Sequence, residues 1–364
     1  MTEIHGRILT ETGWVTGRVV VDGDRIADVI PGEIDADRIV LPGFIDLHCH
    51  GGGGADVMDG GNAVRTVAAL HARHGTTAFL ATTMTAPVGE IEGALVAIAA
   101  GMEEPRAGEA AILGVHLEGP FISPDRLGAQ PPFAIRADLD LMRRFFDLAP
   151  ILVVTWAPEA DPDGALRAFL GERGIRVQIG HSNASYEVAA AALADGVDGV
   201  THVFNGMSPL HHRHPGVTGA ALAHAQRAEM IPDLVHVHPG ALLVALRAIP
   251  DVYAVTDATA ASGMPDGDYR LGRQPVRRCE NSVRLADGSL AGSALTMDVA
   301  LRNLVDIGLP LDEASRRTST IAADYLGLAD RGRIRHGATA DLVILDTDLQ
   351  LRDVYVAGTR IDRG

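Results

Sequence analysis

Between residues 39 and 258 the sequence alternates strand-length apolar runs with helix-patterned segments, which predicts a parallel (β/α)8 TIM-like barrel. Both ends of the chain read as short strands with turns between them. Neither end has enough apolar surface to fold alone, so the two are expected to pair into one small β-sandwich domain. The expected division gives residues 1–38 and 337–364 to that small domain and residues 39–336 to the barrel. A third observation is that His, Glu or Asp recurs at the expected ends of the barrel strands.

Gly6 to Leu9, Trp14 to Val21 and Arg25 to Ile30 are the N-terminal strands, with Asp22-Gly23-Asp24 as a turn. Ala340 to Leu345 and Leu351 to Ala357 repeat the style at the other end. The barrel strands are expected at Ile39 to Leu47, Thr76 to Thr83, Ala111 to Glu118, Ile151 to Trp156, Arg176 to His181, Gly199 to Phe204, Ile231 to Val237 and Val252 to Asp257. Helical patterns lie at Ala63 to His74, Glu90 to Met102, Leu139 to Leu148, Gly164 to Arg173, Ser185 to Ala194 and Pro239 to Ala248. Helices near Met297 to Val305 and Leu311 to Leu326 close the ring, and residues 263–292, rich in Gly, Arg and Asp, read as an inserted hairpin.

The 364 residues are 47% hydrophobic, 21% charged and 4% aromatic, ample for a large globular core. A formal charge of −16 argues against nucleic acid or an anionic membrane as a partner and points to a small molecule. No apolar run approaches membrane length, and the N-terminus lacks the pattern of a secretory signal. With only Cys49 and Cys279 in the chain, a disulfide scaffold is disfavoured and a reducing cytoplasm is expected. All 31 basic residues are arginine. The absence of lysine excludes a Walker A site, a Schiff-base mechanism and a carboxylated lysine bridging two metals.

Alternation along a strand puts His48 and His50 on one face and Cys49 on the other. Glu118, His181, His202 and Asp257 stand at further strand ends, the face of such barrels where sites are built. Imidazole and carboxylate donors suit one or two divalent ions per chain, Zn, Fe, Co or Mn. Glu118 is placed to bridge two ions, with His181 and His202 on one side and His48, His50 and Asp257 on the other. A paired site would hold its ions roughly 3.5–4 Å apart, generate hydroxide near neutral pH and polarise a carbonyl. Asp257 is the expected catalytic residue, taking the water's proton and passing it to a leaving nitrogen.

His48-Cys49-His50-Gly51, His116-Leu117-Glu118-Gly119-Pro120-Phe121, Gly180-His181-Ser182, Thr201-His202-Val203-Phe204-Asn205-Gly206-Met207 and Val255-Thr256-Asp257-Ala258 together resemble the amidohydrolase superfamily, and within it the amino-sugar phosphate deacetylases. The resemblance covers nearly the whole chain. It implies hydrolysis of the acetamide of N-acetyl-D-glucosamine 6-phosphate to glucosamine 6-phosphate and acetate. It also implies substrate contacts at Arg213, His236, Asn205 and Gly206, and a homodimer whose partner helps complete the phosphate pocket. A guanidinium at Arg213 would answer how so acidic a chain binds an anion. Where the family often has Gly-Ala-His, this chain has Gly128-Ala129-Gln130, so Gln130 becomes the expected sugar contact and bears on epimer preference. Other readings are the N-acetylgalactosamine 6-phosphate epimer, an amidohydrolase of N-acyl amino acids, and a catalytically silent binding protein. Among the remaining residues, His116 is expected as a hydrogen-bonded core histidine and Cys49 as packing. His71 and His74 are expected at the surface, Asp56 and Asp59 in a solvated loop, and His211 to His214 in a phosphate-facing loop.

Overall fold

A computed structural model describes residues 1–33 and 37–363. Residues 34–36 and Gly364, which fall in the expected small domain, lie outside the described residues. Eight parallel strands follow one another in chain order: Phe44–Cys49, Thr76–Thr83, Ala111–Glu118, Ile151–Trp156, Arg176–Ile179, Gly199–Val200, Arg227–Met230 and Asp251–Ala254. The first and eighth meet where Asp257 N donates to His48 O at 2.9 Å and Cys49 bridges Ala258, so the barrel closes at the residues of greatest interest. Helices such as Ala63–Arg73, Val88–Glu103 and Leu139–Leu148 pack their apolar stripes outside the strands, around buried Phe79, Leu80, Ile98 and Phe145.

Both chain ends enter one continuous seven-stranded sheet. Its order runs Thr359–Arg360, Leu351–Val356, Leu342–Asp346, Arg38–Pro42, Thr2–Thr10, Gly13–Asp22, Arg25–Pro31. Its own core of Ile4, Ile8, Val19, Ile26, Val40, Leu342 and Ile344 draws on both ends, as neither end alone could supply it.

Four expectations need correction. The single strand expected from Ile39 to Leu47 divides at Gly43, with Arg38–Pro42 in the terminal sheet and Phe44–Cys49 in the barrel. A side chain at Gly43 would stand 2.3 Å from Thr77 Cγ2, so the chain can pass from one sheet to the other only with glycine there. The seventh barrel strand is Arg227–Met230, not Ile231 to Val237. Pro232 can donate nothing to a ladder, and Asp233 Oδ1 instead accepts from Val235 N and His236 N at 2.9 Å to form a turn. Helix Gly216–His224, between the sixth and seventh strands, was not anticipated, because its Gly-rich start hides the helical period. Strands five, six and eight stop short of their expected ends, since His181, His202 and Asp257 take φ of 46°, 27° and 49°. Turning these side chains over the barrel mouth forces left-handed backbone on non-glycine residues, a strain concentrated where function usually sits.

The segment expected as an inserted hairpin is a three-stranded antiparallel sheet, Gly267–Leu271, Gln274–Cys279 and Ser282–Arg284. Leu271 and Leu290 from this region wall one side of the mouth.

Candidate metal centre

All six expected ligand side chains converge at the C-terminal mouth of the barrel. His48 Nε2 lies 3.2 Å from His50 Nε2 and 3.6 Å from Asp257 Oδ1, and His50 Nε2 lies 3.2 Å from Asp257 Oδ1. Opposite them, His181 Nε2 and His202 Nε2 each stand 3.1 Å from Glu118 Oε1 and 3.2 Å from each other. Glu118 spans the two groups, with His48 Nε2 3.6 Å from its Oε1 and His50 Nε2 3.3 Å from its Oε2. In each triad the ligand atoms lie within 4.8 Å of one another. Imidazole nitrogens 3.2 Å apart with carboxylate oxygens beside them can converge on a shared cation, and two imidazoles plus a carboxylate per side suit a divalent metal.

The electrostatics of the ring say the same. Burial works against a charged His48, yet Glu118, Glu229 and Asp257 hold its pKa well above the ordinary imidazole value. His50, against the same burial, is raised to about 9 by Asp257 and Glu118. Burial would push Asp257 up, but His48 and His50 bring it down to about 2, and Glu118 is driven well below the usual carboxylate range by the surrounding histidines. The carboxylates are therefore anionic at neutral pH and the ring attracts positive charge.

Three of the four ligand imidazoles are fixed from behind through Nδ1. His48 meets Glu229 Oε2 at 2.9 Å, His50 the carbonyl of Thr82 at 3.0 Å and His181 the carbonyl of Arg126 at 2.8 Å. His202 Nδ1 is buried with no partner among the described residues. Gly206 passes close to the His181 ring, where a side chain would stand 3.0 Å from Nδ1, and its φ of 60° further favours glycine.

Above the ring opens a pocket of about 160 Å³, lined by His50, Glu118, His181, His202 and Asp257 with Gln130, Asn205, Gly206 and His236. His236 Nδ1 is held by Asp233 Oδ2 at 2.7 Å, and although burial disfavours charge, Asp233 raises the pKa of His236. Gln130 lines the pocket but spends both ends elsewhere: its amide donates to Glu118 Oε2, and its oxygen accepts from Thr85 N at 2.8 Å. Arg213 does not line this pocket; it sits on an exposed turn closed by His211 and His214.

His116 is a core histidine as expected, with Nδ1 2.9 Å from Leu47 O and Nε2 2.7 Å from Thr155 Oγ1. Cys49 is buried behind the ligands. His71, expected at the surface, is fully buried 3.2 Å from Cys49 Sγ, and His74 is partly buried against Asp298. Asp56 is likewise buried, capping the turn Val57–Asp59 and accepting from Gly272 N at 2.8 Å, which ties the insert to the glycine-rich loop. Sequence reasoning missed Glu229. The available signal was an acid inside the apolar run around Ala228 and Met230, obscured because the seventh strand was placed too late.

Fold and site together define a metal-dependent hydrolase on a (β/α)8 barrel, with donors at the C-terminal strand ends. The chain belongs to the amidohydrolase family, which it matches over residues 39–361; that family is generally dependent on divalent metal. N-acetylglucosamine-6-phosphate deacetylase of Lysinibacillus sphaericus is 40% identical over 88% of this chain and 85% of its own. N-acetylgalactosamine-6-phosphate deacetylase of Escherichia coli O157:H7 is 38% identical over 97% of each chain. The crystal structure of N-acetylglucosamine-6-phosphate deacetylase from Thermotoga maritima superposes with a TM-score of 0.91 at 33% identity, covering 100% of both chains.

Proposed function

We propose that this chain hydrolyses the acetamide of N-acetyl-D-glucosamine 6-phosphate, releasing acetate and glucosamine 6-phosphate. The observation that carries the reading is the ring of His48, His50, Glu118, His181, His202 and Asp257 beneath a polar pocket. Relatives of 38–40% identity that act on N-acetylhexosamine 6-phosphates support it.

His48, His50 and Asp257 would hold one divalent ion and Glu118, His181 and His202 another, with Glu118 reaching both. An ion there, Zn, Fe, Co or Mn, activates water and polarises the acetyl carbonyl. Asp257, anionic and facing both the ligands and the pocket, takes the proton of the attacking water and delivers it to the departing nitrogen. Glu118 and Asp257 keep the imidazole Nε2 atoms trained on the centre. Gln130 holds Glu118 rather than spending its amide on the sugar, so sugar recognition falls to the neighbouring Asn205, Gly206 and His236.

The pocket of one chain contains no arginine among its lining residues, whereas the Arg213 guanidinium, on its exposed turn, has no partner among the described residues. A homodimer in which Arg213 of one chain reaches the phosphate held at its partner's His236 accommodates both facts, and supplies the charge-assisted contact a phosphate needs. Cys49 and Cys279 are both free thiols, in keeping with a cytoplasmic enzyme.

The test is acetate release from N-acetylglucosamine 6-phosphate before and after chelation, with metal quantified on the same sample. Chelator-sensitive release with one to two ions per chain is expected; no release from a fully metallated protein overturns the reading. The galactosamine epimer is a second reading, favoured by the Escherichia coli relative. Side-by-side kcat/KM on the two epimers decides between them.

A further inference from the structure

Below the ligand ring the barrel interior is not the usual stack of branched aliphatic side chains. Glu229, on the seventh strand, is fully buried there, with Oε2 2.9 Å from His48 Nδ1 and accepting from His202 N at 3.3 Å. Its other oxygen accepts from the Tyr253 hydroxyl at 3.4 Å. From Tyr253 a hydrogen-bonded chain continues through Gln178 Nε2 at 2.6 Å, from Gln178 Oε1 to Thr201 at 3.0 Å, then to Thr155 at 2.8 Å. It ends on His116 Nε2 at 2.7 Å, whose Nδ1 donates to the carbonyl of Leu47, the residue before His48. The network thus leaves His48 through its ring and returns to it through its backbone.

A buried carboxylate is costly unless fully partnered, and an apolar side chain would fill this interior with less desolvation. What Glu229 does that an apolar residue cannot is set the His48 ring. Of the four ligand imidazoles, His48 has a carboxylate behind it, His50 and His181 have backbone carbonyls, and His202 has no Nδ1 partner among the described residues. A carboxylate partner fixes the tautomer that presents Nε2 and makes the imidazole a stronger donor than a carbonyl does.

We infer that Glu229 is a positioning residue for the His48–His50–Asp257 half of the centre, selectively strengthening the ion held there; this rests on the two-ion reading above. Glu229 is buried below the ligand ring and does not line the pocket. It acts through His48, with Tyr253 and Gln178 holding it in turn.

The decisive measurement is zinc binding by Glu229→Gln, which keeps the shape and hydrogen-bonding capacity of the side chain but removes its charge. Metal-stripped protein is dialysed against buffered free zinc, and bound zinc is counted per chain by mass spectrometry, with circular dichroism as the fold control. Wild-type protein is expected to bind two ions. In the variant one ion binds as in wild type and the other about 10–100-fold more weakly. Because affinity is what is lost, kcat/KM falls at limiting zinc and recovers as zinc is raised, which a merely structural defect would not do. Two ions at wild-type affinity in Glu229→Gln overturn the positioning role. A wild type that saturates at one ion overturns the two-ion reading and the proposal with it. Should Glu229→Gln not fold, Glu229→Asp, which keeps the charge but withdraws it from Nδ1, gives the same readout; weakening of both ions equally, or of neither, overturns the proposal.

Discussion

The two halves of the candidate centre are alike in donor type and unlike in support. His48, His50 and Asp257 come from the first and eighth strands, which meet through Asp257 N and His48 O, so one seam of the barrel carries all three. Glu118, His181 and His202 come from the third, fifth and sixth strands, with left-handed φ of 46° and 27° at the two histidines. Behind the first half lies the buried Glu229 and its hydrogen-bonded network. Behind the second, Glu229 reaches only the His202 backbone N at 3.3 Å, the His181 ring meets a backbone carbonyl, and His202 Nδ1 has no partner among the described residues. Both halves include left-handed backbone, at Asp257 in the first and at His181 and His202 in the second, but only the first has a carboxylate behind an imidazole, so the two should respond differently to substitution.

Glu118→Ala removes the one side chain shared by both halves and should have the largest effect, with metal content collapsing and acetate release falling below detection. Retention of two ions by that variant would break the bridging role. Asp257→Asn comes next: turnover is expected to fall by about 10²–10⁴-fold, the usual worth of a general acid–base. The Glu118–His181–His202 ion should stay bound, and near-wild-type turnover would exclude Asp257 from proton transfer. Arg213→Ala should act on neither half. A lost hydrogen bond between charged groups is worth about 1.5–3 kcal/mol, so KM for the phosphorylated substrate should rise by roughly 10–100-fold with kcat little changed. Turnover of the unphosphorylated N-acetyl sugar should be unaffected.

The smallest effect concerns the back of the first strand, where His71 sits against Cys49 and Gly51 O. Burial lowers its pKa to about 4, whereas an unfolded imidazole titrates near 6.5. Between those values the unfolded chain binds more protons, so the contribution of neutral His71 is complete above about pH 6.5 and is lost as the pH falls toward 4. In metal-stripped protein, the melting temperature of His71→Gln should therefore decline less steeply over that window than that of wild type. Parallel pH profiles for the two proteins would show that His71 is not buried as a neutral group.

Where sequence and structure agree, a local pattern carries the information. The alternating apolar runs place the strands Thr76–Thr83, Ala111–Glu118 and Ile151–Trp156 with their observed bounds, and the helices Leu139–Leu148 and Pro239–Ala248 likewise. Spacing puts His48 and His50 on one face of a strand. The shortened fifth, sixth and eighth strands have a shared cause: at His181, His202 and Asp257 the chain leaves the ladder to turn a ligand inward, and nothing local in the sequence announces that. Misplacing the seventh strand by a few residues was enough to hide Glu229, because a strand's inward positions depend on its register.

The sequence by itself determined the barrel, the joining of both ends into one small sheet, the six converging donors and the absence of any lysine to bridge them. Those follow from periodicity, composition and residue type, which are properties of short stretches. Only the tertiary structure decided which imidazole Glu229 backs, that Gln130 holds Glu118, that Arg213 stands outside its own chain's pocket, and that His71 is buried. Each of these depends on distances between residues 12 to 181 positions apart in the chain, and such distances exist only once the strands have closed around a common core.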